Sequence, residues 1–318
     1  MSVRDVRNVG SSLSRIHQLP RLETINLTFH PIYGVYGGTD LGQRPAAVQE
    51  SIFRALATCF DVRAPSELTS LSLHNLRTLD PPALEIIPYH TILPTLRRLH
   101  LSVLADRDPD TSKHPAHWRY FWRTLFSPIP AVPIHTQFAL TELTLHSREY
   151  VGAPSGLSIR ELHFPRLSML SLGKIVFDLT LGAEVFILRH AGTLARLELF
   201  DCKVLMSKNI SLSPPPSTTI TTGMELSPSP YWDRIWDRFA ADLTALVTLF
   251  VDELHDKLTL PCHRTSQGIR YVHYSETSER YELIDGNELL IAADLAALQR
   301  FDMTVAARAR SKEKCVES

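Results

Sequence analysis

A chain of 318 residues, 44% hydrophobic and 21% charged, has the composition of a globular protein with ample material for a core. Its 33 Lys+Arg against 34 Asp+Glu leave a net charge of −1, which argues against the dense basic footprint of a nucleic-acid binder. Four cysteines, at 59, 202, 262 and 315, form no Cys-x-x-Cys pair and are too scattered for a disulfide framework, so reduced thiols in an intracellular setting, cytoplasm or nucleus, are expected.

The opening MSVRDVRNVG carries charges and no apolar h-region, and no later stretch approaches the ~18 uninterrupted apolar residues of a spanning helix. Neither secretion nor a membrane segment is expected. From residue 22 onward one pattern recurs, Leu-x-x-Leu-x-Leu, strictly as LTSLSL at 68, LRRLHL at 96, LTELTL at 140, LSMLSL at 167 and LARLEL at 194, and in looser copies as LETINL at 22 and LVTLFV at 246, seven in all. The starts lie 46, 28, 44, 27, 27 and 52 residues apart; the shortest intervals match the period of leucine-rich repeats, and the longer ones read as repeats with insertions. The period of two turns leucines to one face of a strand and polar residues to the other. Short parallel strands are therefore predicted at 24–28, 70–74, 98–102, 142–146, 169–173, 196–200 and 248–252.

Helix-like segments lie between them, at 45–60, 81–93 and 181–192, several with proline near the start. Strand followed by helix, repeated, gives right-handed crossovers. The fold class expected is α/β, a leucine-rich-repeat solenoid of irregular repeats with strands on one face and helices on the other, forming a single domain over 1–318. Two further helices use all four tryptophans: WRYFWRTL at 118 and WDRIWDRF at 232. Trp118, Phe121, Trp122 and Leu125 are spaced i, i+3, i+4, i+7, as are Trp232, Ile235, Trp236 and Phe239. They read as the buried stripes of two enlarged repeats, with a ligand cage or a partner site as the alternatives.

Polar, proline-bearing 105–117 reads as a surface loop, and the Ser/Thr/Pro-rich 207–230 as a disordered insertion. GIRYVHYS at 268–275 has strand alternation and could close the sheet as an eighth strand. A C-terminal capping helix is expected at about 285–309, with Leu289, Ala292, Leu295, Ala296 and Leu298 among its apolar positions, followed by a charged tail.

Irregularly spaced LxxLxL strands, Trp/Phe-rich helices ahead of them and the Asp-x-x-Ala-Leu run at 294–298 together resemble the leucine-rich regions of fungal F-box-like proteins, over roughly 20–304. The resemblance implies substrate recognition for a cullin-type ubiquitin ligase, an indirect link because no F-box is found here. The sole Leu-Pro step near the start, Leu19-Pro20, belongs to a repeat strand. The chain also departs from standard repeats, which carry Asn or Cys three residues after the last strand leucine. Here those positions are His30, Leu76, Leu104, Arg148, Ile175, Cys202 and Leu254, and Cys202 alone fits.

No reaction motif is found: GVYGG at 34–38 lacks the spacing that cradles a phosphate, and neither Gly-x-Ser-x-Gly nor His-Glu-x-x-His occurs. The expectation is a non-catalytic protein-binding module without cofactor or metal; the alternative is a hydrolase-like enzyme on an unrecognised α/β fold. His74, His100 and His146 fall on the solvent side of three successive strands, where a metal or a pH-sensitive patch is conceivable. Unpaired surface histidines are the commoner outcome. Partner-binding candidates are the large or charged residues of that side, Arg98, His100, Glu142, His146, Arg196, Glu198, Phe200, Phe250 and Asp252, because Arg and aromatic residues flanked by polar groups anchor interfaces.

Overall fold

The computed structural model describes residues 21–29, 39–62, 68–78, 92–104, 116–126, 139–152, 155–206, 231–252, 270–276, 280–284 and 288–317. They form a mixed α/β protein with a mostly parallel sheet and five helices, in two units. Unit 1 comprises Met1–Glu149, Pro154–Leu157 and Phe164–Leu167; unit 2 comprises Tyr150–Ala153, Ser158–His163 and Ser168–Ser318.

In unit 1, strands β1 (Thr24–Thr28), β2 (Ser70–Arg77), β3 (Arg98–Leu104) and β4 (Glu142–Val151, its last two residues in unit 2) pair in chain order, all parallel. The repeat leucines fall level: Ile25, Leu71, Leu99 and Leu143 share one row, Leu27, Leu73, Leu101 and Leu145 the next. Except for the half-buried Leu27, all are buried. Helix α1 (Thr39–Val62) sets Phe53 against Phe29, ring centroids 5.7 Å apart. Its buried Gln49 satisfies the end of β2, donating to the Arg77 carbonyl at 2.8 Å and accepting from the Arg77 N–H at 2.9 Å. Helix α2 (Ala116–Thr124) buries Trp118, Phe121 and Trp122, and Leu125 follows, all 2% exposed or less. The tryptophan stripe is core, as its spacing predicts.

Unit 2 holds two ladders that share β5 (Met169–Phe177). The first half of β5 pairs with β6 (Arg196–Phe200), and β6 with β8 (Thr248–Asp252), both parallel. The second half pairs with β7 (Lys203–Leu205), β7 with β9 (Arg270–Ser275) in parallel, and β9 with β10 (Arg280–Ile284) in antiparallel fashion. The corner between the halves is made by non-glycine residues at positive φ, Lys174 at 56° and Asp201 at 50°; Asn75 at 57° is their counterpart in unit 1. Each stands two residues after the last leucine of its repeat. Asn and Asp tolerate this conformation better than most residues, and at Asn75 it inserts the register shift seen between Leu73 and Leu76.

Helices α3 (Ala183–Arg189), α4 (Trp232–Asp242) and α5 (Glu288–Glu317) complete unit 2. Gly182 opens α3 at φ 70°, and a Cβ there would lie 2.4 Å from that of Arg160, so glycine answers both the backbone and the space. On α4, Trp232, Ile235, Trp236 and Phe239 are 1% exposed or less.

Two expectations need correction. Residues 270–275 are a strand, but it joins the second ladder on β7 instead of extending the first, because the left-handed corners open a separate edge. The C-terminal helix runs to Glu317 through the expected charged tail. Its buried stripe is Asp294, Ala297, Phe301 and Val305, while Ala292, Leu295 and Ala296 are exposed and Leu298 is half-buried. The stripe follows the aromatic face it meets: Phe301 lies 6.0 Å from Trp236 and 6.1 Å from Phe239. Residues 81–91, 105–115 and 207–230 lie outside the described residues. Among the described residues no helix is long and apolar enough to cross a membrane.

Candidate interaction face

Because alternate residues of each strand carry the core leucines, the intervening side chains form rows on the opposite side of the ladder. In unit 1, one row runs Thr24, Ser70, Arg98, Glu142 and the next Asn26, Ser72, His100, Thr144. His74 and His146 flank His100, at ring-centroid distances of 4.2 and 5.8 Å. The sheet thus brings Arg98, His100, Glu142 and His146 to one face, Arg98 exposed and the other three half-buried. Burial holds the His100 imidazole at about 4, and the imidazoles of His74 and His146 push in the same direction. His100 is therefore neutral at pH 7. Among the described residues no group of three or more His, Cys, Asp or Glu side chains could hold a metal ion.

In unit 2 the rows are Met169, Arg196, Thr248; Ser171, Glu198, Phe250; and Gly173, Phe200, Asp252. Here the expected site is sorted by exposure. Glu198 is 8% exposed and accepts from Arg196 Nε at 2.8 Å, so its charge is answered within the strand while the Arg196 side chain remains half-exposed. Phe250 is 44% exposed and packs on Phe200 with ring centroids 5.2 Å apart. Asp252 is exposed at the end of the same strand.

One cluster in unit 2 carries no periodic signal and escapes sequence reading. Lys203, 1% exposed, places Nζ 2.6 Å from Asp201 Oδ1, and Tyr150 donates its hydroxyl to the same oxygen at 3.1 Å. Lys174 lies 3.8 Å from the other oxygen and 5.7 Å from the Tyr150 ring. A buried ammonium needs such a partner, and the pair locks the β6–β7 corner. Beside it, Cys202 donates its thiol to the Leu172 carbonyl at 3.5 Å, and burial pushes that thiol up to about 12, so it serves as a hydrogen-bond donor and not as a nucleophile. In unit 1 the corresponding backbone bond comes one residue earlier, from Asn75 Nδ2 to the Phe29 carbonyl at 3.0 Å.

A second buried constellation sits at the start of α4. Asp294 accepts from the Asp233 N–H at 3.0 Å and from the Tyr271 hydroxyl at 2.8 Å, while the Tyr271 oxygen accepts from the Trp232 N–H at 3.0 Å. Tyr231, at the N-cap, makes no side-chain cap, so these two side chains satisfy N–H groups that the helix leaves unpaired. Burial raises Asp294 to about 6 despite both hydrogen bonds, and burial raises Tyr271 far above the usual phenol range. No family model, curated protein or solved structure matches the chain.

Proposed function

We propose that the chain is an irregular leucine-rich-repeat solenoid that binds protein through the outward rows of its strands. The reading extends to substrate recognition, similar to that of F-box ubiquitin-ligase receptors. What supports it is the segregation within the strands, with leucines on one side and, on the other, outward rows that carry Arg98 in unit 1 and Arg196 with the Phe200–Phe250 pair in unit 2, Phe250 being 44% exposed. Arg and aromatic side chains rimmed by polar groups are where interfaces concentrate their energy.

Affinity purification with mass spectrometry, scored for ubiquitin-ligase subunits, identifies the partner. Single changes of Arg98, Arg196, Phe200 and Phe250 to Ala should then weaken its capture, by ~2 kcal/mol at true hot spots, with little change in melting temperature. Leu197→Ala and Leu199→Ala should instead unfold the repeat, at ~2–5 kcal/mol each. If all four surface variants capture the partner as the unmodified chain does, this face is not the binding surface.

A further inference from the structure

Strand β8 ends the first ladder of unit 2 unfinished. Among the described residues it pairs with β6 alone. Its core-side residues Leu249 and Val251 are half-buried, whereas their ladder partners Leu197 and Leu199 are 0% and 1% exposed. The backbone follows the same division. The Thr248 N–H donates to the Ala195 carbonyl at 3.0 Å, and the Asp252 carbonyl accepts from Asp201 at 2.8 Å. Since successive residues of a strand point their backbone groups to opposite sides, Thr248, Phe250 and Asp252 direct theirs to β6. Leu249 and Val251 direct theirs to the outer edge.

We propose that β8 pairs with β8 of a second copy of this chain, antiparallel, about a two-fold axis at Phe250. The five residues TLFVD are complementary to themselves in this register. Leu249 comes opposite the second copy's Val251 and Val251 opposite its Leu249. Both residues of each pair turn N–H and C=O toward the partner, so four backbone hydrogen bonds form with none left over. Registers centred on Leu249 or Val251 also match in parity, but the first sets Val251 opposite Val247, whose N–H already donates to the Ala195 carbonyl at 2.9 Å, and the second sets Leu249 opposite Glu253. On the core side the Leu–Val pairs cover the half-exposed end of the leucine row. On the outer side Phe250 meets its own symmetry mate at a non-hydrogen-bonded position, where side chains approach most closely, and Phe200 flanks it at 5.2 Å. Edge strands with apolar faces associate in this way, and an isologous two-fold contact closes on itself. Five residues a side make a small interface, so the dimer is expected to be weak and reversible.

The edge shares Phe250 with the outward face of the proposed function, and the pairing is tested on the full chain by sedimentation velocity up to about 200 µM. The unmodified chain should dimerise reversibly. Phe250→Lys sets like charges together at the axis, and Val251→Pro removes an edge N–H that the β6 ladder does not use; each should weaken the dimer at least tenfold, with melting curves confirming that the unit folds. Mixing Phe250→Lys with Phe250→Glu should restore a heterodimer that neither forms alone, which only a register centred on residue 250 explains. A monomer throughout the concentration range, as when another segment of the chain fills the edge, overturns the proposal. So does a dimer that both single variants leave intact, or two folded charge variants that do not pair. Arg98→Ala and Arg196→Ala, which lie off the β8 edge, should leave dimerisation unchanged, so partner capture lost in these two variants reports on the outward face and is distinguishable from loss of the dimer.

Discussion

The second tryptophan of each Trp-x-x-apolar-Trp motif carries a cost that the first does not. The indole N–H groups of Trp122 and Trp236 are buried with no hydrogen-bond partner among the described residues, whereas Trp118 and Trp232 hold further interactions. An orphaned buried donor costs roughly 1–3 kcal/mol, so packing must outweigh it: Trp236 stacks 4.6 Å from Trp232 and 6.0 Å from Phe301, and Trp122 meets Trp118 edge-on at 5.6 Å. Replacing Trp122 or Trp236 by Phe keeps most of the aromatic area and removes the orphan. Urea midpoints should therefore fall less for Trp122→Phe and Trp236→Phe than for Trp118→Phe and Trp232→Phe, while alanine at any of the four costs ~3–5 kcal/mol. Equal losses across the four Phe variants would mean that the orphaned groups carry no penalty.

At the level of elements, α5 acts on α4 at both ends. Asp294 places a carboxylate at the N-terminus of α4, and Arg308 donates to the carbonyls of Leu243 and Ala240 at its C-terminus, at 2.8 and 2.6 Å. Negative charge at the N-terminus and positive at the C-terminus both complement the helix dipole. Asp294→Ala strands the Asp233 N–H and the Tyr271 hydroxyl and should cost ~2–3 kcal/mol. Asp294→Asn, which retains an acceptor without the buried charge, should cost much less. Arg308→Ala should lose ~1–2 kcal/mol. The two sites lie far apart along one helix, so the double variant should be additive within about 0.5 kcal/mol; chemical denaturation of the four chains decides it.

Across the whole molecule the buried titratable groups make the two units respond differently to acid. His100 in unit 1 and His190 in unit 2 are both held near 4 mainly by burial, below the usual 6.5 of an unfolded chain. As pH falls from about 6.5 to 4 the unfolded chain takes up these protons first, so each histidine's contribution is present above 6.5 and lost toward 4. Asp294, raised to about 6, runs the other way: the folded chain binds its proton first, and stability rises as pH falls from about 6 toward 3.8. In unit 2 the two effects oppose each other, while in unit 1 His100 acts beside His74, His146 and the exposed Arg98. Hydrogen exchange at pH 7 and pH 5 should show β2, β3 and β4 losing protection before β5 and β6. His100→Gln should flatten that difference, and an unchanged profile would remove His100 as its cause.

Much of the strand framework is legible from residue types alone. The leucine spacing places all seven repeat strands, since burying one side of a strand is a local, period-two demand that any neighbouring strand can meet, and the 3.6-residue spacing of Trp118 and Trp232 marks two buried helical stripes for the same reason. The outward positions of Arg98, His100, Glu142, His146, Arg196, Glu198, Phe200, Phe250 and Asp252 follow from that alternation; their exposure does not. Whether Glu198 is covered by Arg196, or Phe250 left open, depends on rotamers and neighbours distant in sequence. The buried stripe of α5 is not legible in the sequence, because Ala and Leu occur all around that helix and contact with Trp236 and Phe239 selects Ala297, Phe301 and Val305. The corners could have been anticipated in part from Asn75 and Asp201, residue types that accept positive φ, but Lys174 accepts it only because the second ladder holds it there. A local pattern suffices where each residue's partner is solvent or a generic core; where the partner is one particular side chain, as for Lys203 with Asp201 or Asp294 with Tyr271, the assembled structure decides.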